Sequence, residues 1–162
     1  MKTHFLIPLV LMSLVSFPSW GLSMDDLVVR EGLWYKKFTD VPFTGGIDEG
    51  VATGSFNNGK KNGSWQYYDD NQRLYARSNY QNGKQEGSFE SYHLNGKLWN
   101  RGHYKNDMRE GFWINYWQNG QLISKGHYEN GEKEGYWVGF NKDGTVWKNG
   151  TGTFKNDVKV SD

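Results

Sequence analysis

The stretch Gly111-Phe112-Trp113-Ile114-Asn115-Tyr116-Trp117-Gln118-Asn119-Gly120-Gln121-Leu122-Ile123-Ser124-Lys125-Gly126-His127-Tyr128-Glu129-Asn130-Gly131-Glu132-Lys133-Glu134-Gly135 decides how this chain folds. It opens with Gly-x-aromatic, and Gly135-Tyr136-Trp137 repeats that opening 24 residues later. Working back toward the N-terminus, Gly87-Ser88-Phe89 and Gly63-Ser64-Trp65 keep the same spacing. Other columns hold register with them. Tyr68, Tyr92, Tyr116 and Phe140 form one, Leu74, Leu98, Leu122 and Val146 a second, and Ser78, Gly102, Gly126 and Gly150 a third. Tyr80, Tyr104 and Tyr128 follow, then Asn82, Asn106 and Asn130, while Gln72, Gly96, Gly120 and Gly144 mark a turn. Half units flank the array at Gly54–Gly63 and at Gly152–Asp157, the latter after a two-residue insertion. Repetition at a fixed period of this length marks a repeat architecture, in which each unit is one supersecondary element.

The unit reads as a β-hairpin. Gly63 to Tyr68 is a short strand rich in aromatic β-formers. Asp69 to Gln72 is a turn, and its later copies carry Asn95-Gly96, Asn119-Gly120 and Asp143-Gly144, dipeptides that accept positive φ. Arg73 to Tyr80 returns, and Gln81 to Glu86 is a polar connection to the next unit. A glycine at each opening and another at each turn rules out helix. The predicted fold is all-β: an elongated single-sheet antiparallel meander of stacked β-hairpins. About ten short strands at roughly 4.8 Å each give a sheet about 48 Å long. A lone hairpin is marginal in water, so each is held mainly by its neighbours.

Composition agrees. The 162 residues include 21 Gly, 8 Trp, 10 Tyr and 9 Phe, but only 3 Pro and no Cys. From Met24 onward there are only 6 Leu, 3 Ile and 8 Val, too few to fill an ordinary two-layer core. The aromatic content also argues against disorder. Lys+Arg is 19 against 18 Asp+Glu, and Lys2 is the one such charge before Met24. A balanced, interspersed surface has no electrostatic footprint for nucleic acid, so no nucleic-acid partner is expected. Without cysteine there are no disulfides, no thiolate nucleophile and no acylated anchor.

The N-terminus reads as a cleavable signal peptide, residues 1–21, and predicts a periplasmic or secreted protein. Lys2 supplies the positive charge, Phe5 to Phe17 the apolar stretch, and Ser19-Trp20-Gly21 the small residues before a cut after Gly21. The stretch is too short and interrupted to span a bilayer, which takes about 20 apolar residues. No transmembrane segment is expected after cleavage. Residues 22–53 do not follow the period and are read as a capping segment, 54–157 as the repeat domain, and 158–162 as a C-terminal tail. Lys155, Lys159 and Asp162 supply charges that suit an unpaired edge.

Strict alternation places Trp65 and Tyr67 on one face and Tyr68 on the other, with Tyr75 opposing Leu74 and Tyr80. The constant columns at 65, 68, 74 and 80 read as structural. The varying ones are the candidates for partner binding: Tyr75, Trp99 and Trp147 in one column, Phe112 and Tyr136 in another, and Trp117 as an extra aromatic in a turn. The competing reading is that these residues simply cover the second face of the sheet.

Residues 111–135 resemble the MORN repeat family, specifically its bacterial variant repeats. Gly111, Trp113, Tyr116, Gly120, Leu122, Gly126, Tyr128, Asn130 and Gly131 fall on the motif's fixed positions. Gln72, Ser78 and Asp107 depart from it as losses of single turn glycines. The segment from Trp34 to Gly45, with Pro42-Phe43-Thr44-Gly45, is similar to the lead-in of YwqK-type antitoxin proteins. The resemblance implies a noncatalytic repeat module that binds proteins and, in some settings, lipids. The antitoxin likeness implies neutralising a toxin, and with export an immunity role outside the inner membrane. A cell-wall or glycan-binding protein is the alternative, because choline- and glucan-binding repeats also stack ligands on aromatics.

Catalytic chemistry is not expected, and neither is a cofactor or metal. His103 and His127 share a column roughly 9.6 Å apart, too far to hold one zinc ion. Glu86, Glu110 and Glu134 recur at a separation near that of an inverting glycosidase pair. They stand beside Lys84, Arg109 and Lys133 and read as a solvated ladder. No phosphate loop, nucleophile elbow or calcium loop is present in the sequence.

Overall fold

The structure, a computed structural model, describes residues 21–162. The expected leader lies outside the described residues except for Gly21. A 3-10 turn at Met24–Asp26 opens the chain, with Ser23 and Asp26 capping each other's backbone. Strands β1 (Leu27–Arg30) and β2 (Leu33–Lys36) form a separate two-stranded antiparallel ribbon. The remaining eleven strands make one sheet: β3 (Gly45–Ile47), β4 (Ala52–Asn57), β5 (Lys60–Tyr68), β6 (Leu74–Gln81), β7 (Lys84–Tyr92), β8 (Leu98–Lys105), β9 (Met108–Tyr116), β10 (Leu122–Glu129), β11 (Glu132–Gly139), β12 (Gly152–Lys155) and β13 (Val158–Ser161). They lie side by side in chain order, each antiparallel to the last, so the stacked-hairpin meander is the observed fold.

The two ends of the sheet use different turns. At one end the chain reverses in two residues. Asn82 and Gly83 have φ of 52° and 88°, and Gln81 pairs directly with Lys84. This twist matches that of the flanking strands, so the six-residue connection expected at 81–86 shortens to two residues and Lys84 to Glu86 are strand. At the other end a wider turn closes with a single left-handed residue, Gln72, Gly96, Gly120 or Gly144. Asp107 replaces the glycine in one narrow turn at φ 68°, and its Oδ1 accepts the Gln85 N–H at 2.7 Å. Asp157 repeats this at the Lys133 N–H, 2.8 Å. The departure at 107 therefore gains a hydrogen bond to the preceding turn rather than merely losing a glycine.

The glycine of each Gly-x-aromatic was expected at a strand start, but it sits within a strand, in a bulge. Arg101 pairs with Ile114 and His103 with Glu110, so Gly111, Phe112 and Trp113 stand opposite Gly102 alone. Gly111 takes φ 69° to make this possible. The indole of Trp113 then folds back over Gly102, and its Nε1 donates to the His103 carbonyl at 3.1 Å. Trp137 does the same over Gly126 toward the His127 carbonyl (2.9 Å), and Trp65 over Gly54 toward the Ser55 carbonyl (3.2 Å). A Cβ on any of these three glycines would collide with the ring. The Gly102 and Gly126 column is thus a floor for indoles, not a turn column.

These rings are the core. Trp65, Trp113 and Trp137 are buried to 0%, 1% and 1% exposure. Successive rings meet edge to face: Phe89 with Tyr104 at 5.3 Å, Tyr104 with Trp113 at 5.2 Å, and Tyr128 with Trp137 at 4.9 Å. Each such pair adds about 0.5–1.5 kcal/mol beyond the area it buries. A cation covers each tryptophan: Lys61 at 4.3 Å from the Trp65 ring, Arg109 at 4.9 Å from Trp113, and Lys133 at 4.8 Å from Trp137. The second unit breaks the pattern in three places together. Phe89 replaces tryptophan, Ser78 replaces the floor glycine and Gln85 replaces the cation. Phe89 pairs directly with Ser78, and Gln85 Nε2 donates to Ser78 Oγ at 3.0 Å. A smaller ring leaves room for a hydroxyl, and the amide satisfies it.

The N-terminal segment packs on the Trp65 end of this ladder. Leu27, Ile47, Ala52, Phe56 and Trp65 form one buried cluster, with Trp34 and Phe43 packed on it. Trp34 and Phe43 lie 5.6 and 5.7 Å from Phe56. At the far end, residues expected as a tail pair with β12 instead and form the outermost strand, β13.

Candidate binding surface

A second register shift recurs near the wide turns and decides where the candidate aromatics lie. Tyr68 pairs with Leu74 and Tyr67 with Ala76, which leaves Tyr75 as an extra residue. The same shift leaves Trp99 between Leu98 and Asn100, and Ile123 between Leu122 and Ser124. Strict alternation therefore fails at this column. Tyr75 packs against Tyr67 at 6.1 Å, and Tyr67 stacks on Trp65 at 6.1 Å, so Tyr75 lies on the face of the tryptophan ladder. Leu74 follows Tyr68 to the opposite, open face, where Tyr68 Oη donates to Gln66 Oε1. Leu74 and Tyr80, expected to share a face, do not.

Three candidates thus share the ladder face in one row: Tyr75, Trp99 and Trp147, exposed at 47%, 48% and 44%. Each rests on a distinct support. Trp99 packs at a tilt against His93, 5.8 Å between ring centroids, and His93 Nε2 is 2.8 Å from the Tyr116 carbonyl of the next unit. Trp147 lies over Gly139 and Gly150. Trp117, at the start of a wide turn, is half-buried, and its indole nitrogen is shielded from solvent. Phe112 and Tyr136 are exposed on the other face, beside Ile114 and Val138. The structure brings Tyr75, Trp99 and Trp147 onto one surface and separates Phe112 and Tyr136 from them.

Between the row and the ladder runs a line of small and polar residues, Ala76, Ser91, Asn100, Asn115 and Ser124, paired strand to strand. Asn115 donates to Ser124 Oγ at 3.0 Å, while Ser91 Oγ and Asn100 Oδ1 are buried without a hydrogen-bond partner among the described residues.

At the ladder's other flank, Lys61 Nζ donates to Tyr67 Oη at 3.0 Å, which donates to Tyr80 Oη at 2.8 Å. Desolvation lowers the Lys61 pKa from its ordinary value and raises that of Tyr67, with the Tyr80 hydrogen bond adding to the latter. The glutamate column is not a free solvated ladder. Glu86, Glu110 and Glu134 accept the backbone N–H of Asn106, Asn130 and Asn156 at 2.9, 3.1 and 3.3 Å, and so tie each turn to the next. Sequence reading missed this role and missed the cations over the indoles. Both were visible as columns that keep pace with the tryptophans. His103 and His127 are exposed, and no group of His, Cys, Asp or Glu among the described residues could hold a metal ion. No helix among them is long and apolar enough to cross a membrane.

No curated protein matches the chain. Among solved structures, the GtfA/B complex bound to UDP and GlcNAc is similar at 10% identity and a TM-score of 0.24, over 78% of this chain and 26% of that one. The chain thus spans about a quarter of that chain's length, and the likeness is too slight to bear on fold or function. The family model of the MORN repeat variant matches residues 85–106 and 109–130, two adjacent units of the array. A repeat-based binding module is the role those repeats indicate. The chain thus carries two repeats of the MORN variant, at residues 85–106 and 109–130, and the hairpins on either side of them continue the same sheet.

Proposed function

We propose that this chain is an exported, noncatalytic module that holds a protein partner on its ladder face, in the manner of an antitoxin or immunity protein that neutralises a toxin. One observation carries the reading: the residues that build the sheet are not the residues left exposed in the bulge row. The ladder takes Trp65, Trp113 and Trp137 out of solvent, while the recurring shift returns Tyr75 and Trp99 to the surface in the first two units, with Ile123 in that position in the third, and Trp147 lies exposed beyond the Phe140–Val146 bridge of the fourth. Aromatic anchors on a rigid base are the usual carriers of binding energy at protein interfaces. The polar line beside them offers hydrogen-bonding groups. The leader-like start, with Lys2 ahead of an apolar stretch and Ser19 and Gly21 at the cut, supports export.

The test is capture from an envelope extract by immobilised protein and by a Tyr75→Ala/Trp99→Ala variant. Recovery of one stoichiometric protein by the parent and not by the variant supports the reading. Retention of the parent on purified cell wall, lost in the same variant, would support the glycan alternative instead. N-terminal sequencing of the protein recovered from the periplasm is expected to begin at Leu22. An intact Met1 in a cytosolic fraction would contradict export.

A further inference from the structure

The open face carries an arrangement independent of the partner surface described above. Arg77, Arg101 and Lys125 hold one position in successive units, on β6, β8 and β10, and all three are exposed. Each step crosses two strands, about 9.6 Å. Alongside them Phe112 on β9 and Tyr136 on β11 repeat at the same step, exposed at 44% and 61%. Ser88, Glu90, Arg101, His103, Phe112 and Ile114 line a shallow cleft of about 380 Å³ between the two rows. Among the described residues, neither Arg101 nor Lys125 makes an ion pair. Glu90, the acidic group between Arg77 and Arg101, accepts Tyr92 Oη at 2.6 Å. Glu110 and Glu134 are held by turn amides.

A ligand that meets both rows must present an anionic group at every step of about 9.6 Å, with an apolar group beside it. A polyproline II helix has three residues per turn at about 3.1 Å each, which gives roughly 9.3 Å. An extended strand repeats its side chains on one face at about 6.8 Å, and an α-helix advances about 5.4 Å per turn, so neither keeps step with the units. We propose that the open face binds an acidic, proline-rich segment in the polyproline II conformation, one turn per repeat unit. The segment runs across the strands, with acidic side chains at every third residue on Arg101 and Lys125 and proline rings on Phe112 and Tyr136. Aromatic-lined grooves bind such helices because the ligand is ordered before it docks.

The probe is a synthetic peptide of four Glu-Pro-Pro triplets, titrated against the whole protein by fluorescence anisotropy. Binding is expected to weaken with added salt and to fall about tenfold or more in an Arg101→Glu/Lys125→Glu variant. Both residues are exposed, so circular dichroism should match the parent, and Arg101→Gln/Lys125→Gln provides a milder second variant. The Tyr75→Ala/Trp99→Ala variant should bind the peptide unchanged, which separates this site from the ladder face. Absence of binding at millimolar peptide overturns the proposal, as does binding that neither charge variant weakens. Equal binding of a Glu-Gly-Ser peptide would overturn the conformational match.

Discussion

Gly102 lies directly beneath the indole of Trp113, whose Nε1 reaches past it to the His103 carbonyl at 3.1 Å. The two residues are on neighbouring strands, and the bulge at Gly111 turns the ring back over the glycine. Each repeat that has the tryptophan and the floor glycine repeats this contact. The one unit that lacks the tryptophan also lacks the glycine.

The first prediction follows from that coupling. Gly102→Ser or Trp113→Phe alone should destabilise the protein, the former by about 1–3 kcal/mol through overpacking. The combination Gly102→Ser/Trp113→Phe/Arg109→Gln rebuilds the arrangement of Ser78, Phe89 and Gln85. It should cost less than the sum of its parts, with a coupling of about 0.5–3 kcal/mol in urea denaturation. Strict additivity would mean that the contact is not what links these positions.

A second prediction concerns the narrow turns. Asp107 accepts the Gln85 N–H at 2.7 Å while in the left-handed region. Asp107→Ala loses the hydrogen bond and keeps the strained φ, and should cost about 1–3 kcal/mol. Asp107→Gly loses the bond but relieves the backbone, so it should lie closer to the parent. Thermal denaturation of the two variants would rank them.

The third concerns alkaline pH. Burial and the Tyr80 hydrogen bond raise the Tyr67 pKa above its ordinary 10.0. The folded protein therefore keeps a proton that the unfolded chain releases. Stability from this group is fully present below pH 10.0 and falls as pH rises beyond it. Lys61 has the opposite sign, since its pKa is lowered and its desolvation cost is relieved as pH rises toward the ordinary lysine value of 10.5. Tyr67→Phe should remove the loss above pH 10.0, and Lys61→Met the gain below 10.5. Denaturant midpoints from pH 8 to 11 would resolve the two.

A fourth prediction separates scaffold from surface. Trp113→Ala empties a buried indole site and should cost about 3–5 kcal/mol. Trp99→Ala removes a half-exposed ring packed at a tilt against His93 and should cost markedly less. Trp147→Ala should fall between them, because its ring covers Gly139 and Gly150. The order can be read from urea midpoints.

The period, the hairpin unit and the meander were legible in the sequence because turn glycines and aromatics recur at fixed spacing. The faces were not. A bulge adds a residue to one strand without changing the residue types around it, so Tyr75 looks like any strand residue until its pairing is known. The tryptophan ladder did leave a trace, in that a glycine stands eleven residues before Trp65, Trp113 and Trp137, and a serine before Phe89. Variation along the columns singled out the candidate aromatics but not their faces: Phe112 and Tyr136 lie across the sheet from Tyr75, Trp99 and Trp147.

The proposed function seats a partner on the aromatic row of the ladder face. Oxidative footprinting of the protein alone and with its captured partner tests it most directly. Protection of Tyr75, Trp99 and Trp147 is expected, with Phe112 and Tyr136 oxidised equally in both states. Protection confined to Phe112 and Tyr136, or none at the bulge row, would contradict it.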